Sequence, residues 1–263
     1  MDVTFKEKVV LVIAGSKGLG KAIAERFLQE GAQVAIVSRS EENLKLAVRE
    51  LQEKTGNNTV KGFTCDITND FEIKTLIKDV INHFGKINIL INNSGGPKPG
   101  GFKDLEESDW IHAFQLNLMS YVRMTNEVLP HMKKNHQGFI INIASSSIEQ
   151  VIDDLILSNT FRNAITGFSK SLARELGEFG IMVNTIGPGK FATERVELLD
   201  NKAAERQHVS YADIRKRNEA TIPLGRYGTP NELANLVLFL CSDYNQYITG
   251  QSIVIDGGKG TAL

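Results

Sequence analysis

Short apolar runs alternate with longer stretches of helical period along almost the whole chain, and this rotation restricts the fold more than any other feature. The runs fall at 9–13, 34–37, 87–91, 139–143, 182–186 and 253–255. They are rich in Val and Ile and mostly continuous rather than strictly alternating, as strands covered on both faces are. Between them lie amphipathic segments such as 21–30, 41–54, 71–84 and 169–179. Strand and helix in rotation require parallel strands joined by right-handed crossovers, with helices on both faces. The expected fold class is therefore α/β, a doubly wound parallel sheet of about seven strands.

No linker, repeat or shift in composition divides the 263 residues, so one domain over 1–263 is expected. One stretch breaks the rotation. Residues 193–220 are rich in charge and carry no strand-like run. They are expected to form a helical excursion over the substrate cleft, because ligands of a doubly wound sheet sit outside the carboxyl ends of its strands. The 30 Lys and Arg nearly balance the 31 Asp and Glu, leaving a formal charge of −1. Nucleic acid is excluded as a partner on that ground, since phosphate contacts demand clustered excess cations. Cys65 and Cys241 are too few and too scattered for a disulfide framework or a zinc site, and the five histidines show no ligand spacing. No metal is expected, and a reducing compartment suits the two thiols. No stretch approaches the roughly 20 apolar residues of a membrane span, and the first residues carry charge where a secretory leader needs an apolar core. The expected location is cytoplasmic, with no membrane partner.

The first apolar run ends in Ala14-Gly15-Ser16-Lys17-Gly18-Leu19-Gly20, and a helical pattern follows at once. Glycines suit a sharp turn whose backbone N–H groups must approach a pyrophosphate, and the helix N-terminus adds partial positive charge. Strand, glycine turn and helix in this order form the context a dinucleotide site requires.

The spacing Gly-x-x-x-Gly-x-Gly resembles that of the short-chain dehydrogenase/reductase family, and the resemblance runs over nearly the whole chain. Asn92-Asn93-Ser94-Gly95 is similar to the family's Asn-Asn-Ala-Gly, and Asn117 falls where the family carries a helix asparagine. Asn142-Ile143-Ala144-Ser145 ends the fifth strand where the catalytic serine normally stands. Pro188-Gly189 with Thr193, the Ile-Thr-Gly-Gln at 248–251 and Asp256-Gly257-Gly258 complete the pattern. The segment 167–175 is especially similar to bacterial 3-oxoacyl-acyl-carrier-protein reductases. The resemblance implies a Rossmann-type fold and a nicotinamide cofactor. Gly15, Ser16, Lys17, Gly18, Leu19 and Gly20 would hold it, with Asp66 and Ile67 at the adenine. Asn93, Ser94, Gly95, Pro188, Gly189 and Thr193 would stand along the rest of it. Asp66 has a second reading, as a cap for the helix that follows it. The implied partner is a small-molecule carbonyl or alcohol, with an acyl thioester as one form. The family norm is a homotetramer, a dimer being the other arrangement, and Trp110 reads as core or subunit contact.

Charge selects between the two nicotinamide cofactors. NAD sites place a carboxylate after the second strand to grip the ribose 2′-OH. This chain has Ser38-Arg39-Ser40 there and no acid before Glu41, with Lys17 beside the same pocket. Two cations and two hydroxyls suit an added phosphate, so NADP(H) is favoured over NAD(H).

The family's acid is a tyrosine followed four residues later by a lysine, which places both on one helical face. Those positions are occupied by Ser158 and Arg162, and no Tyr-x-x-x-Lys occurs anywhere in the chain. An aliphatic hydroxyl is a far poorer proton donor than a phenol, and a guanidinium keeps its proton. The candidate catalytic residues are Ser145, Asn117, Ser158 and Arg162. Replacement acids are sought at Glu149, Asp153 and Asp154, and at Tyr211 with Arg215. Two functions stay open: an NADP(H)-dependent oxidoreductase with an altered site, and a nucleotide-binding protein without turnover that serves as a sensor or assembly subunit.

Overall fold

A computed structural model of the chain describes residues 4–262. Each apolar run forms a strand. In chain order the elements are β1 (Val9–Val12), α1 (Gly18–Gln29), β2 (Gln33–Ser38), α2 (Glu41–Thr55), β3 (Val60–Thr64), α3 (Asp70–Phe84) and β4 (Ile89–Asn92). Next come α4 (Glu107–Phe114), α5 (Ser120–Lys134), β5 (Gly138–Ile143), α6 (Ile156–Leu176) and β6 (Ile181–Pro188). The chain ends with α7 (Glu194–Gln207), α8 (Tyr211–Ala220), α9 (Pro230–Leu240) and β7 (Ser252–Ile255). The strands form one parallel sheet in the order β3-β2-β1-β4-β5-β6-β7.

Successive residues of β1 face opposite layers. Val10 and Val12 pack with Ile23, Phe27 and Val237, whereas Leu11 and Ile13 pack with Ile77, Val80 and Val128. Both faces are covered, which is why the strands carry no polar alternation. The strand that sequence periodicity missed is β3, Val-Lys-Gly-Phe-Thr at the sheet edge, where only Val60 is buried. Helix signals are local and strong. Ser40 accepts from the Asn43 N–H to begin α2, Asn69 caps α3, and Gly56 and Gly85 end those helices in the left-handed region. Among the described residues no helix is long and apolar enough to cross a membrane.

Order reverses between β1 and β4. The chain runs outward through β2 to β3, then returns to lay β4 on the other side of β1, with Val10 beside Ile89. The loops leaving β1 and β4 therefore diverge, and the crevice between them is where a doubly wound sheet takes ligands. The excursion is two helices, α7 and α8, joined through His208 at φ +54° and restarted by the capping box of Ser210 and Asp213.

Candidate functional site

The glycine turn owes its shape to close approach. A Cβ on Gly20 would stand 2.3 Å from the Ala14 carbonyl oxygen, so only glycine lets α1 start this near β1. Gly18 adopts φ +53° and faces Thr193. No side chain caps α1 at Lys17, which leaves its first-turn N–H groups open toward the crevice. In front of Gly95, across the crevice, no atom lies within 4 Å of an added Cβ. Open amides on one wall and clear space at the other fit a dinucleotide diphosphate. Asn93 donates to the Ala14 carbonyl at 3.5 Å and ties the two walls.

The end of β2 carries Ser38 and an exposed Arg39 that forms no ion pair among the described residues. Glu41 is turned away: Lys45 binds it on α2 and holds its carboxyl below the usual range. Burial pushes the Asp66 carboxyl up, but the Thr68 N–H and hydroxyl, with Arg39 and His112, outweigh it and hold the group below the usual carboxylate range. The cap of α3 is Asn69; Asp66 instead closes a turn by accepting from Thr68 N–H at 2.9 Å. Ile67 is buried beside it.

The other wall is a buried polar cluster. Asn117 lies in a π-helical turn, Gln115–Met119, between α4 and α5. Its amide donates to Ser94 Oγ at 2.9 Å and to the Gly95 carbonyl at 2.8 Å, while its own Oδ1 is buried without a donor. Ser158 is buried 3.2 Å from Ser147 Oγ. Ser145 Oγ accepts from the Ser147 N–H and remains half-buried at the end of β5. Arg162 is 4 % exposed. Its Nη1 donates to Tyr121 Oη and to the Ile143 carbonyl, both at 2.8 Å. Its Nη2 reaches the Ser94 and Gly95 carbonyls at 3.4 and 3.5 Å. Among the described residues no carboxylate pairs with it.

Tyr121 was not among the sequence candidates. It is 1 % exposed and sits one helical turn beyond Asn117, the spacing that would reveal it in the sequence. The proposed replacement acids behave otherwise. Glu149, Asp153 and Asp154 are all exposed, and Asp154 pairs with Arg206 of α7 at 3.5 Å. Tyr211 lines a cavity of about 190 Å³ with Thr193, Glu197, Arg215 and Tyr227.

The strand ends close the site on its third side. Gly189 donates to the Ile255 carbonyl, and a Cβ there would lie 2.6 Å from Asp256 Cβ. Thr193 caps α7 through the Val196 N–H. Glu194 then pairs with Lys17 at 3.2 Å, and Arg195 donates to the Pro97 carbonyl at 3.4 Å. The root of the excursion is Asp200, 2 % exposed, which takes Tyr227 Oη at 2.5 Å, Lys190 Nζ at 3.0 Å and Asn218 at 3.1 Å.

Comparison with known proteins agrees with this fold. A family model described as enoyl-(acyl carrier protein) reductase matches residues 13–259. A 3-oxoacyl-[acyl-carrier-protein] reductase of Thermotoga maritima is 34% identical over 253 residues, covering 95% of this chain and 97% of that protein. A dehydrogenase/reductase of Caenorhabditis elegans, SDR family member 4, is 36% identical over 260 residues, covering 98% and 97%. Among solved structures, L-sorbose reductase from Gluconobacter frateurii, complexed with NADPH and L-sorbose, superposes with a TM-score of 0.94 at 30% identity over the whole of both chains. With the glycine turn at the β1–β4 switch and a family match over most of its length, the chain belongs to the short-chain dehydrogenase/reductase family.

Proposed function

We propose that the protein is an NADP(H)-dependent oxidoreductase that moves a hydride between nicotinamide and a carbonyl or alcohol, 3-oxoacyl thioesters being the first substrates to try. The carrying observation is the crevice itself, with open α1 amides on one wall and the Ser145, Ser158 and Arg162 cluster on the other. The NADPH complex of L-sorbose reductase and the acyl-carrier relatives support the cofactor and the substrate class.

The α1 N-terminus receives the diphosphate, and Arg39 with Ser38 receives the 2′-phosphate. The nicotinamide, when bound, supplies the hydride chemistry. Ser145 orients the carbonyl oxygen. Ser158 lies behind it, bonded to Ser147. Arg162 acts through its charge, since both its Nη groups already serve oxygens of the chain. A fixed cation in a water-poor site favours the growing alkoxide. The proton comes from water, because neither serine is a strong enough acid. Lack of a phenol acid costs about 10²–10⁴-fold in rate, so slow turnover is expected. The excursion forms a lid over the cleft. A cytoplasmic setting and a homotetramer belong to the same proposal. Two buried free thiols support the first, and the aromatic cluster of Trp110, Phe114 and Phe161 with exposed Ile111 supports the second.

The test follows loss of NADPH absorbance with 3-oxoacyl thioesters, diketones and sugar ketones. Turnover that falls at least about tenfold in Ser145→Ala is expected. Tight NADPH binding with no turnover on any of these substrates would refute it.

A further inference from the structure

The phenol that sequence spacing could not find stands on a different helix. Tyr121 Oη, from α5, meets Arg162 Nη1, from α6, at 2.8 Å. A hydroxyl offers one donor and two acceptor sites, so its neighbours settle the direction of every bond. Tyr121 donates to the Ile143 carbonyl at 2.7 Å, an acceptor only. It accepts from Arg162, which leaves Ser94 Oγ, at 3.3 Å, as its second donor. Ser94 in turn accepts from the Asn117 amide. The protons therefore run from Asn117 to Ser94 to Tyr121 to Ile143, and the Tyr121 hydroxyl has no capacity left for a substrate.

We propose that Tyr121 is a positioning residue. Its hydroxyl fixes the Arg162 cation beneath the end of β5, two residues from Ser145, and the two side chains work as one unit.

Burial argues that the arrangement is more than packing. A guanidinium that is 4 % exposed and lacks a carboxylate is a charge whose solvation comes entirely from oriented oxygens. Tyr121 and the Ile143 carbonyl are the two closest of these, and the hydroxyl also bonds that carbonyl, which closes a triangle around Nη1. Removing the hydroxyl leaves one N–H of the cation unpaired in the interior and frees the guanidinium to turn. Ser94 belongs to the same device. At a place where the family pattern has alanine, its hydroxyl occupies the second acceptor site of Tyr121 and so fixes the phenol's rotation.

The proposal rests on the oxidoreductase assignment, and the experiment separates the two. Tyr121→Phe, Arg162→Lys, the double variant and Ser94→Ala are compared for kcat, for KM of the carbonyl substrate and for NADPH Kd by fluorescence titration. Tyr121→Phe removes one oxygen from the core and keeps the ring; Ser94→Ala tests the same chain of bonds without touching the ring. The expected result is that Tyr121→Phe lowers kcat roughly tenfold with NADPH Kd within about twofold. The double variant should be no worse than the poorer single variant, and Ser94→Ala should lower kcat less than Tyr121→Phe. Losses that multiply, an unchanged kcat in Tyr121→Phe, or a loss confined to NADPH binding would each overturn the positioning role while leaving the reductase intact. A wild type without turnover overturns the oxidoreductase assignment and the role together.

Discussion

Replacing Arg39 by alanine tests cofactor selection at an exposed side chain. A hydrogen bond between a charged donor and a phosphate contributes about 1.5–3 kcal/mol net. Arg39 is open to solvent, so screening places it at the low end of that range. About 1.4 kcal/mol corresponds to tenfold in Kd. Arg39 gives up no ion pair when it grips a phosphate, since the neighbouring Glu41 is already bound by Lys45. Its removal therefore leaves the fold almost unchanged, and the whole effect should appear in binding. NADPH and NADH are titrated against wild type and Arg39→Ala by nicotinamide fluorescence, at low and high salt. NADPH Kd should rise about tenfold, NADH Kd less than twofold, and the gap should narrow as salt increases. Equal weakening of both nucleotides, or a gap insensitive to salt, would refute the assignment of Arg39 to the 2′-phosphate.

Two further outcomes follow from the same scaffold. Gly20→Ala forces a methyl to within 2.3 Å of the Ala14 oxygen, backbone that cannot yield like a side chain, so thermal melts should show a loss of about 1–3 kcal/mol together with weaker nucleotide binding. Glu232 begins α9, where Arg226 and the Thr229 N–H lower its carboxyl from 4.5 to about 2. A depressed carboxyl stabilises the fold above its unfolded value, and that contribution disappears as pH falls through the folded one. Melts of wild type and Glu232→Gln should differ at neutral pH and converge between about pH 5 and pH 2; a difference that persists at the acid end would exclude this linkage.

The sheet was legible because burial on both faces enriches a strand in apolar residues, as the largely buried β1, β2, β4, β5 and β6 show. β3 has no apolar run, because only one of its residues is buried at the sheet edge, and only the family resemblance placed a third strand ending at Cys65. The glycine turn was legible because strand, glycines and helix are adjacent in the chain. The polar cluster was only half legible. Asn117, Ser145, Ser158 and Arg162 follow from the family resemblance, but the partner of Arg162 does not. A motif such as Tyr-x-x-x-Lys is visible because both members share one helix, whereas Tyr121 and Arg162 meet only after α5 and α6 have packed on the sheet. The π-helical turn was hidden for a related reason, as Gln-Leu-Asn-Leu-Met has ordinary helical composition and the extra residue per turn shows only in the backbone. The break between α7 and α8, in contrast, was written locally in the Ser210-x-x-Asp213 box.

Asp200 gives the excursion a buried polar root. One interior carboxylate gathers Lys190 from behind β6, Asn218 from α8 and Tyr227 from ahead of α9, while the start of α7 is fastened by a solvent-exposed pair, Lys17 with Glu194. The two helices are thus held to each other and to the end of β6 by bonds sealed from water, whereas the outer pair is screened by solvent.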